Sequence, residues 1–159
     1  MAVLPQEMQA TINRYAIGAA VIGVPGAFAA HADLGVLAFL WRKMIIELAR
    51  QAGGKLDNAK AKKLALGVLS GVAKAYAGYK LANTYFAMTG AGTVPAMAIN
   101  SAANAYFTRQ IGHAVGEVFL SDTPTDCVPS LAFKVVRAAM DQGLGDVVTP
   151  DGGGPRLAP

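Results

Sequence analysis

His113 and Glu117 stand one helical turn apart, and an imidazole and a carboxylate at i and i+4 can share a metal ion from one helix face. His31 and Asp33 would bring the set to four ligands, but nothing in the sequence places the two segments together. Arg109, His113 and Glu117 also recur at i, i+4 and i+8, and an exposed ladder of charges explains that row more simply than a metal does. Nucleophilic chemistry finds less support. Ser70, Ser101 and Ser121 lack a G-x-S-x-G context and a positioned base. Cys127, the single cysteine, follows Asp126, whose charge disfavours a thiolate. Gly90-Ala91-Gly92 ahead of a helix could offer backbone N–H groups to an anion. A turn between two helices accounts for the same residues with fewer assumptions. The expectation is a protein that is not an enzyme, with no cofactor and no bound metal.

The elements that carry these residues are apolar and helical. Of the 159 residues, 53% are hydrophobic and only 15% charged, against about 25% charged in an ordinary globular domain. That is too little charge to cover a monomer comfortably, so the chain should bury surface in a bilayer or in an oligomer. The length fits one domain. Alanine dominates the apolar content, 18 glycines join it, and aromatics make 8%. Alanine favours helix, and Ala/Gly-rich helices can approach one another closely. The fold expected is all-α, a bundle of about four to five helices with Ala/Gly-rich hairpins. Net charge is +4 and the isoelectric point about 9.3, compatible with an anionic lipid surface. The basic residues do not interleave with aromatics in a nucleic-acid motif, so no nucleic-acid partner is expected. One cysteine permits no internal disulfide, which fits a reducing compartment. The first residues show no basic segment ahead of an apolar one and read as no signal peptide.

The first apolar stretch, Tyr15 to Ala32, sits at the lower edge of the ~17–25 residues a spanning helix needs. Pro25 should kink or break it, so a bent or shallow segment is as plausible as a span. Asp33 can cap a second helix from about Leu34 to Gln51, with Leu34, Leu37, Trp41, Met44, Ile45 and Leu48 as its apolar stripe. Lys43 and Glu47 form an i,i+4 pair on its other face, and Gly53-Gly54 ends it. Trp41 beside Arg42 and Lys43 suits a bilayer interface or, slightly better, a core. A third helix should start near Asp57 or Asn58 and run to about Met88. A fourth, with Thr93 as cap and Pro95 in its first turn, should run to about Leu120. A short fifth is expected over about Ser130 to Gln142. Residues 1–142 thus read as one helical domain, and 143–159 as a flexible Gly/Pro-rich tail.

Small residues mark where backbones could touch. Gly67, Gly71, Ala75, Gly78 and Ala82 form a row on the third helix, with the alternative that this face is simply exposed and weakly polar. Gly90 and Gly92 would shape the hairpin turn, and Gly112 and Gly116 would thin the fourth helix. Asn100 falls on an apolar face and needs a hydrogen-bond partner across a helix interface. Lys60, Lys62 and Lys63 crowd the first turns of the third helix against its dipole, and together with Lys55 they could instead face anionic lipid.

Two stretches carry a family resemblance. His31-Ala32-Asp33-Leu34 leads into Met44-Ile45-Ile46-Glu47-Leu48-Ala49 and Gly53-Gly54; later come Gly90-Ala91-Gly92-Thr93-Val94, Ala98-Ile99-Asn100-Ser101-Ala102-Ala103 and Thr108-Arg109-Gln110-Ile111-Gly112. Their order and spacing resemble the bacterial domain of unknown function found in YcjF-type inner-membrane proteins and at the C-terminus of some Era-like GTPases, over about residues 15 to 120. Where that family usually has a proline before the first glycine of the hairpin turn, this chain has Thr89, a less preorganised turn. It has no G-x-x-x-x-G-K-[ST] motif, so no GTP-driven activity carries over. The resemblance implies a membrane-associated helical module working beside a partner. The leading expectation is accordingly an accessory or scaffold protein on the cytoplasmic side of a bacterial membrane, with lipid as partner. The alternative is a homo-oligomeric structural or cargo-type bundle in the cytoplasm. An enzyme with an interhelical His/carboxylate site comes last.

Overall fold

A computed structural model describes residues 3–26, 34–54, 56–72, 93–121 and 128–139. Among these residues the chain is an all-α bundle of five helical stretches: α1 (Gln6–Gly26), α2 (Leu34–Gln51), α3 (58–72), α4 (Thr93–Ser121) and α5 (Val128–Ala139). The expected tail, the Gly90–Gly92 turn, and the third helix beyond residue 72 lie outside the described residues.

α4 is the axis of the bundle, and α1, α2 and α5 all pack on it. Its row Ala103, Phe107, Ile111, Ala114 and Val118 is buried, as helical spacing predicts. The contact with α1 is the most extensive and depends on small residues. Side chains added at Gly116, Gly112 and Gly23 would meet Leu4, Ile12 and Ser101 respectively. Rising numbers on one helix meet falling numbers on the other, so α1 and α4 run antiparallel. α2 runs parallel to α4, with Trp41 facing Thr108 and Met44 facing Gly112. α3 and α5 also pack in parallel, Gly67 against Ala132 and Gly71 against Val136.

α1 starts well before the apolar stretch that begins at Tyr15. Its buried row is Met8, Ile12, Ala16 and Ala19, preceded by buried Leu4 just ahead of the helix, and it joins the amphipathic Gln6–Arg14 turns to the apolar ones that follow. Ala16, Ala19 and Gly23 are spent on protein packing. The helix is continuous to Gly26, with Pro25 as its penultimate residue. Among the described residues no helix is long and apolar enough to cross a membrane.

The helix boundaries follow local chemistry. α2 closes with a Schellman motif: Gly54 N–H donates to Ala49 O at 2.9 Å and Gly53 N–H to Arg50 O at 3.0 Å. Gly53 takes φ +78°, a left-handed conformation that glycine adopts without a Cβ penalty. Asp57 caps α3, accepting the Lys60 N–H on Oδ1 at 2.7 Å. α5 begins at Val128 and not Ser130, because Pro129 sits in its first turn, where no N–H is needed, and does not mark a loop.

One expected pairing is replaced. Glu47 does not pair with Lys43 along α2. Its Oε1 takes the Arg14 guanidinium at 2.5 Å and the Thr11 hydroxyl at 3.3 Å, and its Oε2 takes the Tyr15 hydroxyl at 3.2 Å. The antiparallel α1 brings three donors to one carboxylate, which a single lysine one turn away cannot match. Gln51 donates to Thr11 and extends the cluster. Burial, then the Glu47 charge, raise the Tyr15 pKa above its ordinary 10.0, and Glu47 also raises that of Arg14. A raised folded-state pKa means the fold holds the phenol proton more tightly than the unfolded chain. That stabilisation is complete below about pH 10 and is lost as pH rises through the folded value. Tyr15→Phe should therefore cost about 1 kcal/mol in urea denaturation at pH 7, for one lost hydrogen bond. The gap to the parent should close above pH 10; a gap unchanged at pH 11 would remove Tyr15 as the titrating group.

Candidate functional site

One cation from α2, Arg42, and one from α3, Lys62, meet at a cleft of about 340 Å³ between the two helices, lined also by Gly35, Ala38, Phe39 and Leu66. On α2 the residues come from one face, since Gly35, Ala38, Phe39 and Arg42 recur at spacings of three and four. Lys62 and Leu66 are one turn apart on α3. Phe39 is half exposed and holds two cations against its ring: the Arg42 guanidinium 4.9 Å and the Lys43 ammonium 4.8 Å from the centroid. Val36 and Leu66 are exposed to the same degree, 47% and 48%. Among the described residues no carboxylate lines the cleft. The Nε of Arg42 is buried and meets no hydrogen-bond acceptor among the described residues.

Charge is concentrated on this hairpin. Residues 34–72 hold seven Lys/Arg and two Asp/Glu, an excess of five against +4 for the whole chain. Both acids are occupied, Glu47 by α1 and Asp57 as the cap of α3. Of the lysines singled out from sequence, Lys62 and Lys63 are exposed, Lys60 is half-buried, and Lys55 lies outside the described residues.

The small-residue candidates divide. Gly67 and Gly71 seat α5: an added Cβ would come within 2.9 Å of Ala132 and 2.5 Å of Val136. Gly112 seats Ile12 of α1, and Gly116 seats Leu4 just ahead of it. Asn100 is buried and donates from Nδ2 to Gly23 O at 2.5 Å, at a point where the α1 and α4 backbones touch. Ala75, Gly78, Gly90 and Gly92 lie outside the described residues.

Of the candidates for chemistry, only some fall among the described residues. His113 and Glu117 are half-buried on α4, while His31, Asp33 and Cys127 lie outside the described residues. Among the described residues no three His, Cys, Asp or Glu converge to hold a metal. Ser121 donates back to Val118 O at 3.4 Å, closing the last turn of α4. Trp41 belongs to the core, with no exposed surface and its Nε1 donating to Thr108 Oγ1 at 3.0 Å. Sequence alone does not reveal the cleft. Its one readable signal is Phe39, Arg42 and Lys43 at i, i+3 and i+4 on one helix.

No curated protein and no solved structure matches the chain significantly. A family model does match, over residues 1–142, and so extends past the resemblance at 15–120 on both sides and reaches through α5. The chain belongs to the family described as a domain of unknown function, DUF697.

Proposed function

We propose that this protein is a non-enzymatic accessory or scaffold protein that docks on an anionic membrane surface, at the cytoplasmic face of a bacterial membrane, through α2 and α3. The observation that carries the reading is the overlap of charge and apolar exposure on one hairpin. An excess of five positive charges stands beside half-exposed Val36, Phe39 and Leu66. A surface facing only water gains nothing from half-exposed apolar side chains among lysines. A lipid interface rewards both, the charges by attraction to anionic headgroups and the aromatic by insertion at headgroup depth. The docking proposed is peripheral, on the membrane surface; among the described residues no helix is long and apolar enough to cross a membrane.

Each lysine near such a surface contributes about 1 kcal/mol. Replacing Lys55, Lys60, Lys62 and Lys63 together with Glu should lower cosedimentation with vesicles containing an acidic phospholipid at least about tenfold at low salt. In concentrated salt the parent should fall toward the variant, because the field is screened over a few ångströms. Equal binding by parent and variant at low salt would overturn the proposal.

A further inference from the structure

We infer that the cleft between α2 and α3 is a binding site for the phosphate headgroup of a single acidic phospholipid, with Arg42 and Lys62 holding the phosphate and Phe39 and Leu66 covering the apolar part next to it. The inference rests on the membrane-docking reading but claims more: a defined pocket for one lipid, and not only an attractive field.

Four features of the cleft converge. First, its described lining is cationic: Arg42 and Lys62 both line it, and among the described residues no carboxylate does. Two like charges facing one cavity repel, and an anion between them removes that repulsion. Second, Arg42 is held against Phe39 by a contact that uses none of its N–H donors. The Phe39 ring takes the guanidinium charge at 4.9 Å through its π face, which leaves the N–H groups for an acceptor. Its buried Nε has no acceptor among the described residues. A buried donor without a partner is costly, and a phosphate oxygen is the strongest acceptor that such a fork recognises. Third, the space is real. A Cβ built on Gly35 meets nothing within 4 Å, so this wall of the cleft is open, and about 340 Å³ accommodates a phosphate with its glycerol linkage. Fourth, the cleft has an apolar side. Phe39 and Leu66 are 49% and 48% exposed, which a free inorganic anion would leave wet and a lipid would cover.

The third feature supplies a test that leaves every charge in place. Gly35→Gln should place a neutral side chain in the cleft, and in a helix glutamine is favoured over glycine. It occludes the pocket without weakening the field or adding apolar surface. Arg42→Gln removes the donor fork. Lys63→Gln removes one charge from an exposed position that does not line the cleft. Flotation with phosphatidylcholine vesicles, with and without phosphatidic acid or phosphatidylglycerol, would read all four proteins, and thermal melting would confirm that each is folded. The expected result is at least a tenfold loss of binding to acidic vesicles for Gly35→Gln and Arg42→Gln, and less than threefold for Lys63→Gln. Losses of equal size for Arg42→Gln and Lys63→Gln, with Gly35→Gln unchanged, would overturn the pocket and leave membrane docking intact. Failure of the parent to bind acidic vesicles would overturn both. Glycerol phosphate is the remaining control. If millimolar glycerol phosphate displaces the parent from vesicles as completely as acidic lipid vesicles do, the pocket serves a soluble phosphate ester and the lipid assignment falls.

Discussion

Replacing Gly23 with leucine should lower the melting temperature by about 6–12 °C, corresponding to a loss of about 3 kcal/mol. Gly23 is where α1 and α4 meet backbone to backbone. A Cβ there would lie 2.7 Å from Ser101 Cα and 2.8 Å from Ser101 N, and neither atom can rotate away. Forcing the helices apart costs about 1–3 kcal/mol in packing. It also breaks the buried bond from Asn100 Nδ2 to Gly23 O, for about 1–3 kcal/mol more. Against this stands about 0.8–1 kcal/mol of helix propensity gained when glycine leaves a helix interior. The steric terms win. Gly18→Ala is the matched control, five residues earlier on the same helix. Its Cβ would sit 3.7 Å from Leu40 Cδ1, an ordinary contact, so the propensity gain should appear there unopposed. Thermal melts followed by circular dichroism would separate the two, and a Gly23→Leu protein as stable as its parent would mean the α1–α4 contact is not as close as described.

Trp41→Ala should be comparably severe. Trp41 is the only tryptophan, has no exposed surface, and lies between α2 and α4 with its Nε1 bonded to Thr108. Truncating a buried tryptophan costs about 3–5 kcal/mol, out of the 5–15 kcal/mol that holds a typical domain together. The Thr108 hydroxyl, itself fully buried, would lose this partner. Trp41→Phe keeps most of the ring volume and should lose only about 1–2 kcal/mol, for the missing donor and a partial void. Urea denaturation gives the comparison directly. A loss under about 1 kcal/mol for the alanine variant would place the indole at the surface and reopen its reading as an interfacial residue.

Helices were legible in this sequence wherever several local signals coincide. α2 has a regular apolar stripe and a glycine pair, and its bounds fall where those signals put them. Asp57 shows itself as a cap because a short carboxylate precedes a clean helical run. α1 was less legible, since average hydropathy singles out Tyr15–Ala32 while burial follows one face, and that face starts at Leu4 among polar neighbours. Pro129 misleads because proline ends a helix and begins one with equal ease. At the candidate site the lysines could be read as charges. The meeting of Lys62 with Arg42 and Phe39 could not, because it depends on how α2 and α3 lie beside each other across the Gly53 turn. Glu47 is the same case in reverse: its local partner Lys43 is visible in the sequence, but Arg14, a tertiary partner 33 residues away, is not.

The distance along the chain between Gly23 and Asn100 has a temporal side. The bond that joins them spans 77 residues. Ribosomes add about 5–20 residues per second, so α1 leaves the exit tunnel roughly 4–15 s before the surface it needs emerges in turn. For that interval Leu4, Met8, Ile12 and Ala16 have no α4 to lie against, and the nascent chain carries an apolar stripe in search of cover. The earliest folding problem of this protein is thus one of scheduling, met by whatever shelters α1 until α4 arrives.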